Sequence, residues 1–203
     1  MFFGQVKYLG DNFSYIVADD DSREAAVIDS SYNANEIAEI LKSKDFKLKY
    51  IINTHGHSDH TAGNAELRAE FGSLIVAHES SKTKPDVTVT DGEVIVVGTI
   101  RMKVIYTPGH TPDSICLLVD DKLLTGDTLF VGECGRTDML GGDSKSMYDS
   151  LFNKLMKLKD DVKVYPGHDY GLKPYSTIGE ERKSNYTLKP RSFSEFASFM
   201  KTP

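Results

Sequence analysis

Residues 55–60 read His55-Gly56-His57-Ser58-Asp59-His60, three imidazoles and a carboxylate in one short turn. The chain has six histidines, and half of them are here. Two others, His110 and His168, stand in Pro-Gly-His triplets, and Asp127 closes Thr125-Gly126-Asp127. Neutral imidazole and carboxylate are preferred ligands of zinc, iron and manganese, and a metal is one of few reasons to crowd them. The bland alternative is a solvated loop with scattered histidines, and the density of the motif argues against it. Any fold must therefore gather segments from residue 55 to residue 168 around a common cation.

The sequence between these motifs predicts how that happens. Runs at 4–9, 14–18 and 25–29, with an Asp-Asp-Asp-Ser turn at 19–22, predict an antiparallel meander. Ile37, Ile40 and Leu41 carry the helical period over 33–42. The run Tyr50-Ile51-Ile52 predicts a buried strand ending where the histidine turn begins, and helical spacing resumes over 61–71. The turn thus falls between a strand's carboxyl end and a helix's start, a usual place for a site. The second half follows the same plan. Strands at 74–77, 93–97 and 102–106 lead into Pro108-Gly109-His110, and strands at 115–119 and 122–125 lead into Gly126-Asp127. A helix over 144–158, with Met147, Leu151, Leu155 and Leu158 on one face, precedes a strand at 162–165 and Pro166-Gly167-His168. Two β-rich halves covered by helices predict one domain over residues 1–203. Its class is α+β: an αββα four-layer sandwich, two β-sheets flanked by helices, with the ligands at one edge.

The spacing of the turn is not the i, i+4 of a helical zinc motif, so the ligands are expected from a loop. A loop can aim alternate residues at two points. His55, His57 and His110 would then surround one metal, Asp59, His60 and His168 a second, with Asp127 bridging. Two such ions, roughly 3.5–4 Å apart, hold a hydroxide able to attack an acyl carbon at neutral pH. A single ion held by two imidazoles and one carboxylate instead leaves positions open for dioxygen and substrate on non-haem iron. The ligand set serves both chemistries.

The run 54–60, Pro108-Gly109-His110-Thr111, Thr125-Gly126-Asp127 and Pro166-Gly167-His168, in this order, resemble the metallo-β-lactamase superfamily over nearly the whole chain. Within it the chain is similar to two branches: glyoxalase II, a dinuclear hydrolase of S-acyl glutathione, and the persulfide dioxygenases, which oxidise glutathione persulfide to sulfite on one iron. Ser22-Arg23-Glu24-Ala25 with Val27-Ile28-Asp29 resembles the dioxygenases. So do Cys134-Gly135-Arg136-Thr137-Asp138, His168-Asp169-Tyr170, Ser176-Thr177, Glu180-Glu181-Arg182, Ser194-Glu195-Phe196 and Phe199-Met200. Thr61-Ala62-Gly63-Asn64 resembles the thioesterases, Gly141-Gly142-Asp143 fits both branches, and no counterpart of the long C-terminal helical domain of eukaryotic glyoxalase II is expected.

The balance favours the dioxygenase branch, which implies one Fe(2+) per chain held by His55, His110 and Asp127. His57, Asp59, His60 and His168 would orient those ligands. Tyr170 would face the open metal position, and Arg136 would pair with a carboxylate of the thiol carrier. Asp59, Tyr170 and Arg136 are the candidate catalytic residues, the last two also binding substrate. The thioesterase branch instead assigns all seven ligands to two ions of zinc, iron or manganese.

Composition narrows the partners. A formal charge of −6 argues against nucleic acid, which needs a basic face. No apolar stretch approaches the roughly 20 residues of a membrane span, and the first residues lack the pattern of a signal peptide. Two cysteines cannot build a disulfide framework. The expectation is a cytoplasmic enzyme whose partner is a small-molecule thiol, persulfide or thioester, with a second copy of the chain, as a homodimer, the other candidate. His78 reads as a polar strand end, Cys134 as a small buried filler, and the lysines at 82–84 and 154–163 as solvated faces.

Overall fold

The computed structural model describes residues 1–8 and 10–201. Among them, twelve strands form two sheets of six. The first sheet takes β1 (Phe2–Lys7), β2 (Phe13–Ala18), β3 (Glu24–Ile28), β4 (Lys47–Ile52), β5 (Leu74–His78) and β6 (Val87–Val89) in chain order. The meander β1-β2-β3 is antiparallel, and β3 to β6 are parallel. Helix α1 (Ala34–Ser43) makes the first crossover, and α2 (Ser58–Thr61) with α3 (Asn64–Phe71) makes the second. The second sheet runs β12 (Ser176–Thr177), β11 (Lys163–Pro166), β10 (Lys122–Gly126), β9 (Ile115–Val119), β8 (Ile100–Tyr106), β7 (Val94–Val97). Three helices accompany it: α4 (Ser144–Tyr148), α5 (Ile178–Ser184) and α6 (Phe193–Phe199).

The near-continuous apolar runs follow from burial on both faces. In β2, Phe13, Tyr15 and Val17 point between the sheets, where they meet Ile115, Leu117 and Val119 of β9. The alternate residues Ile16 and Ala18 face outward onto Ile37, Leu41 and Leu67 of α1 and α3. Across the molecule, Cys116, Leu123 and Val164 face Met147, Leu151, Ile178 and Phe196. Three apolar layers between four layers of structure make the expected αββα sandwich.

Several expectations change in detail. The first strand lies at Phe2–Lys7 rather than 4–9, and Leu9 is outside the described residues. The helix expected over 144–158 is α4 followed by a π turn, Asp149–Lys154, and a 3₁₀ turn, Leu155–Lys157. Its core residues Met147, Leu151 and Leu155 recur every four positions and are all fully buried. A regular α-helix would rotate that row away from the sheet, and the wider π turn brings it back. Strands β6 and β12 are too short to leave a period. Helices α5 and α6 each open with a capping box, Thr177 with Glu180 and Ser192 with Glu195.

The topology gathers the ligands. Because β8 and β10 both run antiparallel to β9, and β10 is parallel to β11, these three strands end at the same edge of the sheet. His110, Asp127 and His168 follow those ends, and His55 follows the end of β4. Backbone hydrogen bonds from Ile115 N–H to Thr54 O (2.8 Å) and from Phe13 N–H to Gly167 O (2.8 Å) join the two sheets there. No helix among the described residues is long and apolar enough to cross a membrane.

Candidate metal centre

The seven sequence-predicted ligands converge. His55 Nε2 and His110 Nε2 each lie 3.0 Å from His57 Nδ1. His60 Nε2 lies 3.2 Å from His168 Nε2, and Asp59 Oδ2 is 3.6 and 3.4 Å from these two nitrogens. Asp127 sits between the groups, Oδ1 3.2 Å from His60 Nε2 and Oδ2 3.5 Å from His110 Nε2 and 3.4 Å from His168 Nε2. Ligand atoms of His55, His57 and His110 lie within 4.8 Å of one another, as do those of Asp59, His60 and His168 and those of His55, His60 and Asp127. The loop expectation needs one correction: Asp59 and His60 stand on the helical turn α2, and only His55 and His57 come from the preceding loop. Buried His60 thereby points inward, and half-buried Asp59 borders the opening.

The outer nitrogens explain the orientation of the rings. His60 Nδ1–H donates to Asp29 Oδ2 (2.9 Å) and His110 Nδ1–H to the carbonyl of Arg136 (2.9 Å). His55 Nδ1–H donates to Thr54 Oγ1 (3.2 Å), whose own hydrogen goes to Asp29 Oδ2 (2.6 Å). His168 Nδ1–H faces Asp11 Oδ1 at 3.3 Å. With its proton held outside, each of these rings turns a lone pair inward. His57 alone presents Nδ1.

Inward lone pairs this close repel unless a cation lies between them. Asp127 Oδ1 adds to that demand, being buried and, while His60 is neutral with its proton on Nδ1, without a hydrogen-bond donor. The residues therefore fit a metal of the nitrogen- and oxygen-binding kind. In the metal-free protein, burial opposes charge on His168, but hydrogen bonds that its imidazolium donates to Asp127 and Asp59 outweigh it and push the imidazole up to about 10. His60 is raised against burial by Asp127 and Asp29, His55 is lowered by burial and by His60, and Asp127 is held low by His60 and His168 despite burial.

Glycines make room for this convergence. A Cβ on Gly167 would stand 2.5 Å from Asp127 Oδ1 and 2.8 Å from His60 Cε1. Gly126, at φ +48°, carries the irregularity in the β10–β11 register that turns Asp127 out of the strand.

A cavity of about 290 Å³ opens onto the centre, lined in part by His57, Asp59, His110, Asp127, His168, Arg136, Met139 and Tyr170. Tyr170 stacks on His168 (centroids 4.9 Å, 7° between planes) and meets Phe130 edge-on at 5.0 Å. Arg136 reaches the same rim, its guanidinium paired with Asp138 through two 2.6 Å hydrogen bonds. Its backbone role toward His110 had no signal in the sequence. Asp29 was also missed as a site residue, though Val27-Ile28-Asp29 marks it as a carboxylate at a strand end. His78 ends β5, stacks on Tyr106 and joins no ligand group among the described residues. Cys134 is buried, and burial pushes its thiol up to about 12, which disfavours the thiolate.

A sequence profile described as the metallo-beta-lactamase superfamily matches residues 8–82 and 73–168. The chain is 36% identical over 195 residues to the mitochondrial persulfide dioxygenase ETHE1 of Homo sapiens, covering 93% of this chain and 75% of that protein. It is 35% identical over 170 residues to the hydroxyacylglutathione hydrolase of Pelagibacter ubique, covering 81% and 70%. The crystal structure of ETHE1 from Myxococcus xanthus superposes with a TM-score of 0.94 at 34% identity, covering 100% of this chain and 91% of that one.

Proposed function

Because the chain belongs to the metallo-beta-lactamase superfamily, we propose that it is a single-domain, iron-dependent enzyme that oxidises a glutathione-type persulfide to sulfite. One observation carries this reading: metal ligands, a phenol and a guanidinium border one small cavity. The likeness to persulfide dioxygenases over 93% of the chain supports it.

Iron would be held by His55, His110 and Asp127, two imidazoles and a carboxylate that leave positions open. Bound there, ferrous iron supplies the redox chemistry that dioxygen needs to react with a closed-shell sulfur compound. The carrier leaves as free thiol and the terminal sulfur as sulfite, dioxygen being the oxidant and water giving the remaining oxygen. The chain's own groups bind and orient. Burial, with the Asp11 and Asp127 carboxylates, pushes the Tyr170 phenol up to about 12, so at neutral pH the hydroxyl keeps its proton for donation to substrate. Its ring is fixed by His168 and Phe130, and the hydroxyl orients the persulfide sulfur. Arg136 pairs with a carboxylate of the carrier. Asp59, held by Asn12 Nδ2 at 3.2 Å, steadies His168 and His60. The enzyme would work in the cytoplasm on a small-molecule thiol derivative, as a monomer or homodimer, without nucleic acid or membrane.

A second reading is favoured by a specific observation. The complete second group of Asp59, His60 and His168, with Asp127 oxygens reaching both groups, fits two ions and hydrolysis of S-acyl glutathione. Metal analysis of protein purified without added metal separates the two. About one iron per chain, with oxygen uptake and sulfite release from glutathione persulfide, supports the dioxygenase. Two zinc ions, no oxygen uptake and free thiol from S-lactoylglutathione support the hydrolase.

A further inference from the structure

A guanidinium on an exposed rim has many rotamers, yet the Arg136 fork is held. Asp138 Oδ1 accepts from Nε and Oδ2 from Nη2, both at 2.6 Å, which occupies one of the fork's two bidentate edges. The other edge, Nη1 with the second hydrogen of Nη2, has no hydrogen-bond partner among the described residues. Arg136 lines the metal cavity, whereas Asp138 lines a neighbouring groove with Thr137, Ser144 and Phe193. The backbone between them is pinned, since the Arg136 carbonyl accepts from His110 Nδ1–H and Thr137 Oγ1 shares a 2.7 Å hydrogen bond with Ser144 Oγ.

We propose that Asp138 is a positioning residue: by holding the Nε–Nη2 edge of Arg136 it fixes the guanidinium so that the free edge meets a substrate carboxylate at the cavity mouth. The inference deepens the proposed function and rests on it for the substrate class, a carboxylate-bearing thiol carrier. The gain is preorganisation. Arg136 loses its rotamer freedom when the chain folds rather than when substrate binds.

The test is calorimetric binding of S-methylglutathione and of its diester to the metal-loaded protein, which requires no turnover. Asp138→Asn should weaken S-methylglutathione about three- to fivefold, the scale of an exposed ion pair. Diester binding should stay unchanged, Asp138→Glu should recover part of the loss, and Asp138→Asn should do nothing further on an Arg136→Ala background. With persulfide, KM should rise and kcat hold. Tighter binding in Asp138→Asn would make Asp138 a competitor for the fork and overturn the proposal. Equal weakening of both ligands, no change, or no binding by wild type would overturn it too. A wild type that binds S-methylglutathione with these dependences but turns over neither persulfide nor thioester would refute the proposed function and leave Asp138's role standing.

Discussion

On the floor of the metal centre, His55 and His60 are each 1% exposed, and their outer nitrogens end on Asp29 directly or through Thr54. On its rim, the side chains of Arg136 and Asp138 are 62% and 44% exposed, and Tyr170 is 50% exposed. The floor is over-determined by buried hydrogen bonds that leave each ring one orientation. The rim is held by a stacked ring and one ion pair in water, each worth little alone. Metal retention should therefore depend on the floor, and substrate choice on the rim.

The largest effect should come from the floor's centre. Asp127→Ala removes the carboxylate that reaches both groups of imidazoles. Bound metal should be lost, and kcat/KM should fall by on the order of 10³-fold, equivalent to several kcal/mol of metal-supplied stabilisation. Metal analysis beside steady-state kinetics checks it, and metal retention at the wild-type level would break the distinction at its strongest point.

Next is Asp29→Asn. Asp29 Oδ1 accepts from Thr54 N–H (2.8 Å), and Oδ2 accepts from Thr54 Oγ1 and His60 Nδ1. Losing the charge and one acceptor should weaken metal binding about 10- to 100-fold and destabilise the fold by roughly 2–4 kcal/mol. Once metal is saturating, KM should not change. A shifted KM at full occupancy would mean that floor and rim are one unit.

The rim predicts the converse. Tyr170→Phe removes a hydroxyl and keeps the stack on His168, so metal content should match wild type while kcat falls about tenfold, the low end of one positioned hydrogen bond. Loss of metal in this variant would place Tyr170 on the floor.

The same division governed what could be read from the chain. The ligands were legible because their spacing is local: a histidine-dense turn, and glycine turns after apolar runs. The double burial of β9 showed as an unbroken apolar run, and that of β2 as a run interrupted only by Ser14. Asp29 was not legible as a support for His60, because 31 positions separate them and only the β3–β4 pairing brings them together. Nor could the Arg136 carbonyl be assigned to His110 from side-chain identity, since every residue has a carbonyl. Helices α5 and α6 were legible in principle through Thr177-x-x-Glu180 and Ser192-x-x-Glu195, which a search for period alone passes over. The split of α2 from α3 at Gly63 explains why spacing placed the helix start three residues late.

The smallest predicted effect probes the floor by pH. In the metal-free protein His168 is raised to about 10 from an ordinary 6.5; burial opposes the shift, and Asp127 and Asp59 produce it. A raised folded-state pKa contributes stability that is fully present below about 6.5 and is lost as pH climbs toward 10. His60, raised by Asp127 and Asp29, acts in the same direction. His55 is lowered, so it affects stability only below its ordinary value and is silent in this window. Tyr170, pushed up to about 12 from an ordinary 10, loses stability only as pH passes 10, so the rim contributes little below pH 9.5. The thermal midpoint of metal-free protein should therefore fall by several degrees between pH 7 and pH 9.5. His168→Gln should flatten the slope. Metal should flatten it as well, because an ion takes the place the imidazole protons held. A metal-free midpoint that stays level or rises across this range would show that the carboxylates do not hold those protons, and the electrostatic account of the floor would fail there.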